Sequence, residues 1–218
     1  MARLLRPFTT STSLSLNPES SNAARNIPDS AQRAVVAAGC FWGVEYHYRK
    51  KFGNGRGLLD AKVGYTGGDT ESPSYRGVCT GRTGRMLSPT QTPLLMNPMN
   101  QIEANLPPFN PDAEALLVIF DPSIVSYRQL IEFFYRMHDP TTANRQGPDV
   151  GTPYRSAIFT QNEEQRRIAE DITKRVEAEW WKKPVTTAIE PAGPWWNAED
   201  YHQEYQDRNP GGYECPSQ

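Results

Sequence analysis

Apolar and polar positions in this chain organise into short strands and helical stripes from about residue 31 onward. Ala34-Val35-Val36-Ala37-Ala38 is a continuous apolar run, the pattern of a short buried strand. From Trp42 through Phe52 apolar and aromatic groups recur at helical spacing. Leu58 to Tyr65 reads as a second strand closed by a turn at Gly67-Gly68, and Tyr75 to Thr80 as a short extended segment. Ala115 to Phe120 is a strong apolar strand ending at Asp121-Pro122. Ser126 then caps a helix whose stripe is Tyr127, Leu130, Ile131, Phe134 and Tyr135, and Pro140 forces it to end near His138. Arg155 to Thr160 reads as a strand. Thr160-Gln161-Asn162-Glu163 is a capping-box pattern opening a helix with Ile168, Ile172 and Val176 on its buried face. Val185 to Ile189 is a further strand, and Ala198 to Asp207 a final helix. Strands and helices interleave around one core, which predicts an α+β fold: a single two-layer domain with a mixed β-sheet packed by helices, over residues 31–218.

Composition narrows the function classes. The formal net charge of the 218 residues is −2 with the signs mixed, so no basic surface points to nucleic acid. No apolar run approaches the roughly 20 residues needed to span a bilayer. The three cysteines, Cys40, Cys79 and Cys215, and the three histidines, His47, His138 and His202, show no metal-ligand spacing. So few cysteines argue against a disulfide-framed secreted scaffold and favour a reducing compartment, cytoplasmic or mitochondrial. Residues 1–30 read as a tail outside the core. Arg3, Arg6, six Ser/Thr and no acid before Glu19 match both a mitochondrial presequence and a plain disordered tail.

Chemistry concentrates at Gly39-Cys40-Phe41-Trp42-Gly43, where a strand hands over to a helix. A thiol at a helix N-terminus faces unpaired N–H groups and the positive end of the macrodipole. Its pKa is therefore expected to fall from about 8.5. Phe41 and Trp42 would wall an apolar pocket beside the sulfur. From position alone, a buried structural cysteine is as good a reading.

Further blocks change that balance: Gly64-Tyr65-Thr66-Gly67-Gly68, Pro73-Ser74-Tyr75, Val78-Cys79-Thr80-Gly81-Arg82-Thr83-Gly84, Ala113-Glu114-Ala115, His138-Asp139-Pro140-Thr141, Arg145 through Ile158, and Tyr201-His202-Gln203. Together they resemble the A-type peptide-methionine sulfoxide reductases, from about Ala31 to Cys215. The resemblance implies that family's ferredoxin-like fold and reduction of methionine-S-sulfoxide, free or in proteins. It implies Cys40 as the nucleophile, oxidised to a sulfenic acid, and Glu114 as the acid protonating the sulfoxide oxygen. Tyr75, Tyr154 and Asp149 match the groups that orient that oxygen, while Phe41 and Trp42 would receive the methyl group. Cys215 matches the first resolving cysteine, forming a Cys40–Cys215 disulfide. No cysteine follows it, so the resemblance implies direct reduction by thioredoxin, with no bound cofactor or metal, in a monomer. The rival readings are a peroxide-reducing or redox-sensing thiol protein, and an impaired isoform that binds oxidised methionine without turnover.

One segment departs from the family. Where members read Thr-Gly-His followed by the acid, this chain has Gly84, then Arg85 to Asp112, then Ala113-Glu114. The segment holds six prolines and three of the five methionines, with no clear period. Codon choices at Arg85-Met86-Leu87 and Pro111-Asp112 permit splice signals whose joining restores the histidine in frame, so residues 85–112 read as a retained intron or as a lineage-specific loop. An insert here is expected to leave Glu114 trailing a loop and to weaken catalysis.

Overall fold

The computed structural model describes residues 27–68, 70–81, 83–86 and 109–212. The N-terminal tail up to residue 26, most of the proline-rich insert and Cys215 lie outside the described residues. The elements run β1 (Gln32–Ala38), α1 (Phe41–Phe52), β2 (Leu58–Thr66), α2 (Tyr75–Cys79), β3 (Gly84–Met86), β4 (Phe109–Pro111), β5 (Ala113–Phe120), α3 (Tyr127–Met137), β6 (Arg145–Gln146), β7 (Asp149–Val150), β8 (Ser156–Thr160), α4 (Glu163–Glu179), β9 (Ala188–Pro191), β10 (Trp196–Asn197) and α5 (Tyr205–Arg208).

Six strands form one sheet in the order β10-β2-β5-β1-β8-β9. All neighbours are antiparallel except β8 and β9, so the sheet is mixed. Side chains alternate across β1: Ala34, Val36 and Ala38 join a core with Phe41, Val44 and Tyr48 of α1, Leu130, Ile131 and Phe134 of α3, and Ile172 and Val176 of α4. Val35 and Ala37 point the other way, into a smaller cluster with Ala115, Leu117, Phe159 and Trp195. That arrangement is the expected α+β layering.

Topology brings four chain ends to one edge of the sheet. Val36 pairs with Leu116, Tyr65 with Glu114, and Ala38 with Ser156. The end of β1, the end of β2, the start of β5 and the start of β8 therefore coincide. Gly39, at φ 88°, turns the chain from β1 into α1. A Cβ there would lie 2.5 Å from the Cβ of Gln146, so the turn is both left-handed and tightly covered.

Several expectations shift. Tyr75–Cys79 is a short helix, because the Ser74 side chain accepts from the Gly77 N–H and starts a turn. The cap of α4 is Asn162, whose side chain accepts from Gln165 N, two residues beyond the expected Thr160. The strand expected over Val185 to Ile189 is displaced to β9. The expected final helix splits into a 3-10 turn over Asp200–His202 and the short α5. It breaks because Gln203 turns inward, its amide accepting from Val63 N and donating to Val63 O, while Glu204 takes φ 54°. At the insert, β3 and β4 pair antiparallel from Gly84↔Pro111 to Met86↔Phe109, so its two ends are held together.

Candidate active site

Cys40 caps α1 at the C-terminal edge of β1, and it is buried. The next residue, Phe41, donates its backbone N–H to Glu114 Oε2 at 3.1 Å. Glu114 is 1% exposed, and burial pushes its carboxyl up to about 8. The Phe41 N–H offsets part of that rise, and the charge of Asp149 adds to it. A carboxyl raised this far holds its proton to higher pH than an ordinary glutamate, and it is bonded to the residue that follows Cys40. The expectation that Glu114 trails a loop is overturned. It sits on β5, paired with Tyr65.

Tyr75 and Tyr154 are half-buried, and both share hydrogen bonds with Cys79. Burial raises both phenols far above their ordinary range, reinforced by the Cys79 hydrogen bond at Tyr75 and by the charge of Glu114 at Tyr154. Both stay protonated and able to donate at any working pH. Cys40 and Glu114 also act electrostatically on Tyr75. Asp149, half-buried on β7, bears on Glu114 and Tyr154. The sequence-predicted residues Cys40, Phe41, Tyr75, Glu114, Asp149 and Tyr154 thus meet at one edge. Cys215 lies outside the described residues.

The aromatic wall differs in detail from expectation. Phe41 is fully buried, its ring 5.9 Å from Tyr65 and 5.1 Å from His202. Trp42 is half-buried, stacks on Tyr205 at 3.7 Å and 8°, and donates Nε1–H to His202 Nδ1 at 3.0 Å. Burial lowers the His202 pKa, which suits a neutral ring whose Nδ1 accepts. Glu199 accepts from Tyr75 N at 3.0 Å and from the Tyr65 hydroxyl at 2.8 Å, tying α2 to the sheet. Sequence reasoning gave no role to Glu199, His202 or Tyr205. The Tyr201-His202-Gln203 block was the available signal, but their contacts cross more than 120 residues.

At the insert, Asp112 occupies the place before Ala113. It is buried, accepts from Gly68 N at 3.0 Å, and its own N–H donates to Thr83 O at 3.2 Å. Burial raises its pKa, with hydrogen bonds from Thr70 and Gly68 and the Arg155 charge offsetting. Among the described residues no group of His, Cys, Asp and Glu could hold a metal, and no helix is long and apolar enough to cross a membrane.

The family model for peptide methionine sulfoxide reductase matches residues 32–87 and 110–218. The chain belongs to the peptide methionine sulfoxide reductase family. Within that family it is 46% identical over 187 residues to a probable peptide methionine sulfoxide reductase of Schizosaccharomyces pombe, covering 85% of this chain and 94% of the relative. Reduced Mxr1 of Saccharomyces cerevisiae shares the structure at TM-score 0.69 and 36% identity, over 87% of this chain and 91% of Mxr1. A structure of Mxr1 in complex with Trx2 aligns at TM-score 0.51 and 24% identity, over 88% and 94% of the two chains, and so shows a shared fold. The reductase family match passes over residues 88–109, and it takes in β3 and Pro111 to Glu114 on either side.

Proposed function

We propose that this chain reduces methionine-S-sulfoxide, free or in proteins, to methionine. The Cys40 thiolate attacks the sulfoxide sulfur while Glu114 delivers a proton to the oxygen, with Tyr75 and Tyr154 donating hydrogen bonds to it. The oxygen passes to Cys40 as a sulfenic acid and methionine leaves, a two-electron exchange in which the proton lost by the Cys40 thiol balances the one given by Glu114. Cys215 then attacks the sulfenic sulfur, releasing water and forming a Cys40–Cys215 disulfide. A thioredoxin-type dithiol reduces that disulfide. The relative Mxr1, which has been crystallised with Trx2, supports that choice of reductant. The reaction needs only thiols and one carboxyl, without a bound cofactor, and suits a reducing cytoplasmic or mitochondrial compartment.

The observation that carries this reading is Glu114, buried so that its pKa is raised and bonded to the residue after Cys40. A peroxide-reducing thiol has no need of that acid or of the aromatic wall. The test is single-turnover methionine release from the separate S and R epimers. Wild type should release about one methionine per protein from S alone, and Cys40→Ser none. Cys215→Ser should keep that first release and lose thioredoxin-driven cycling. Equal rates on both epimers, or peroxide consumption without methionine release, would overturn the proposal.

A further inference from the structure

Asp112, the last residue of the insert, is 1% exposed, and none of the chemistry above uses it. It stands between β4 and β5, two residues before Glu114. Its carboxylate accepts from Gly68 N at 3.0 Å and is also bonded by the Thr70 side chain, so it clasps the turn that follows β2. The Arg155 side chain lies against the same turn. It packs so closely on Gly67, which takes φ 97°, that a Cβ at that position would strike Nη2. Arg155 is itself buried and pairs with Glu190 of β9 at 3.6 Å. The charges of Glu190 and Asp112 both act on it. One buried cation is thus shared by two buried carboxylates, one from β9 and one from the insert.

Arg155 directly follows Tyr154 and closes the 3-10 turn Thr152–Tyr154. Tyr154 N donates to Gly151 O at 3.0 Å, and Arg155 N to Thr152 O at 3.3 Å. That turn packs on β5, the strand that carries Glu114. Holding the Arg155 side chain therefore holds the backbone from which the Tyr154 hydroxyl is aimed. Tyr75 has a different support, the Glu199 carboxylate that accepts its N–H.

We propose that Asp112 is a positioning residue: through Arg155 it fixes the turn carrying Tyr154 relative to Glu114, so the end of the insert helps to aim that hydroxyl at the sulfoxide oxygen. The proposal rests on the reductase reading above and adds a residue outside its catalytic set. A buried guanidinium keeps one geometry while its counter-charges are fixed, and losing one of two leaves it under-compensated. A displacement of about 1 Å near reacting groups can cost on the order of 100-fold. Asparagine at this position keeps an oxygen for Gly68 N–H but offers Arg155 no charge, which separates the charge from the clasp.

The experiment is single-turnover methionine release from methionine-S-sulfoxide at equal active-thiol content. It compares wild type and Asp112→Asn, each with and without Tyr154→Phe or Tyr75→Phe. Asp112→Asn should slow the first step about tenfold. In that background Tyr154→Phe should cost only about tenfold, against about 100-fold in wild type, while Tyr75→Phe keeps most of its cost. Glu190→Gln removes the other carboxylate and leaves the Gly68 clasp intact. It should likewise shrink the Tyr154→Phe cost, and it carries the test if Asp112→Asn does not fold. An Asp112→Asn rate within about twofold of wild type would overturn the proposal. So would a full Tyr154→Phe cost in both carboxylate variants, since Asp112 would then act on Glu114 or on the fold alone. Absence of methionine release by wild type would instead overturn the reductase reading.

Discussion

The Glu114 carboxylate accepts the backbone N–H of Phe41 at 3.1 Å, which ties the first turn of α1 to the start of β5 across 73 residues of sequence. This bond sets the acid beside Cys40 and lowers the cost of burying Glu114 without abolishing it. The carboxyl consequently titrates near 8 rather than in the ordinary carboxylate range.

Glu114→Gln tests both halves of that relationship. The amide oxygen still accepts from Phe41, but no proton is available for the sulfoxide oxygen. The first-step rate should fall by about 100-fold or more, and its pH profile should lack the decline expected of wild type above about 8. The sign for stability follows from the raised pKa. The folded form holds its proton from about 4.5 to 8 while the unfolded form has lost it, so wild-type stability declines with rising pH across that window. The glutamine variant should lack that decline and melt higher than wild type at pH 9, as calorimetry would show.

Tyr75→Phe and Tyr154→Phe each remove one hydroxyl that is protonated at every working pH. Each should lower single-turnover methionine release by about 100-fold, with the sulfoxide KM rising less. Because both hydroxyls share Cys79, the double variant should lose less than the product of the single losses. Strict multiplicativity would show that they act separately.

His138 is fully enclosed, with its ring nitrogens bonded to Phe134 O at 2.7 Å and Ser156 Oγ at 2.8 Å, and burial lowers its pKa to about 4. The unfolded chain binds a proton near 6.5 that the folded one refuses, so stability is lost as pH falls from 6.5 toward 4. The loss from this residue should reach about 3 kcal/mol at pH 4. Urea midpoints between pH 7 and 4 check this, and His138→Gln should flatten the slope whatever its midpoint at pH 7.

Replacing residues 87–108 by an Asn-Gly turn would join β3 directly to β4. The Tyr65–Glu114 pairing and the Asp112–Gly68 bond hold the acid independently of what lies between those strands. First-step rates should therefore stay within about threefold of the parent, with only a small change in melting temperature. A gain of tenfold or more would mean that the segment obstructs the site.

Sequence alone determined the elements whose stabilisation is local. The run from Ala34 to Ala38, the apolar period of α3 and its Ser126–Gln129 capping box depend on residues within a few positions of each other, so pattern sufficed. Cys40 as the proposed nucleophile and Glu114 as the proposed acid came from the family resemblance, which supplied no reason for Glu114 to keep its proton. That reason is burial at an edge where four strand ends meet, which only the sheet order decides. Tyr75–Cys79 was misread because the local Ser74 cap was overlooked, whereas the break at Glu204 is set by distant partners, with Gln203 and Glu204 turning toward Val63 and Glu45. Asp112 shows the same limit. The insert between Gly84 and Ala113 looked disruptive in one dimension, yet antiparallel pairing of β3 with β4 brings its ends together and Glu114 pairs within β5. Local period is written in neighbouring residues, whereas burial and cross-strand partners exist only once the chain has closed on itself.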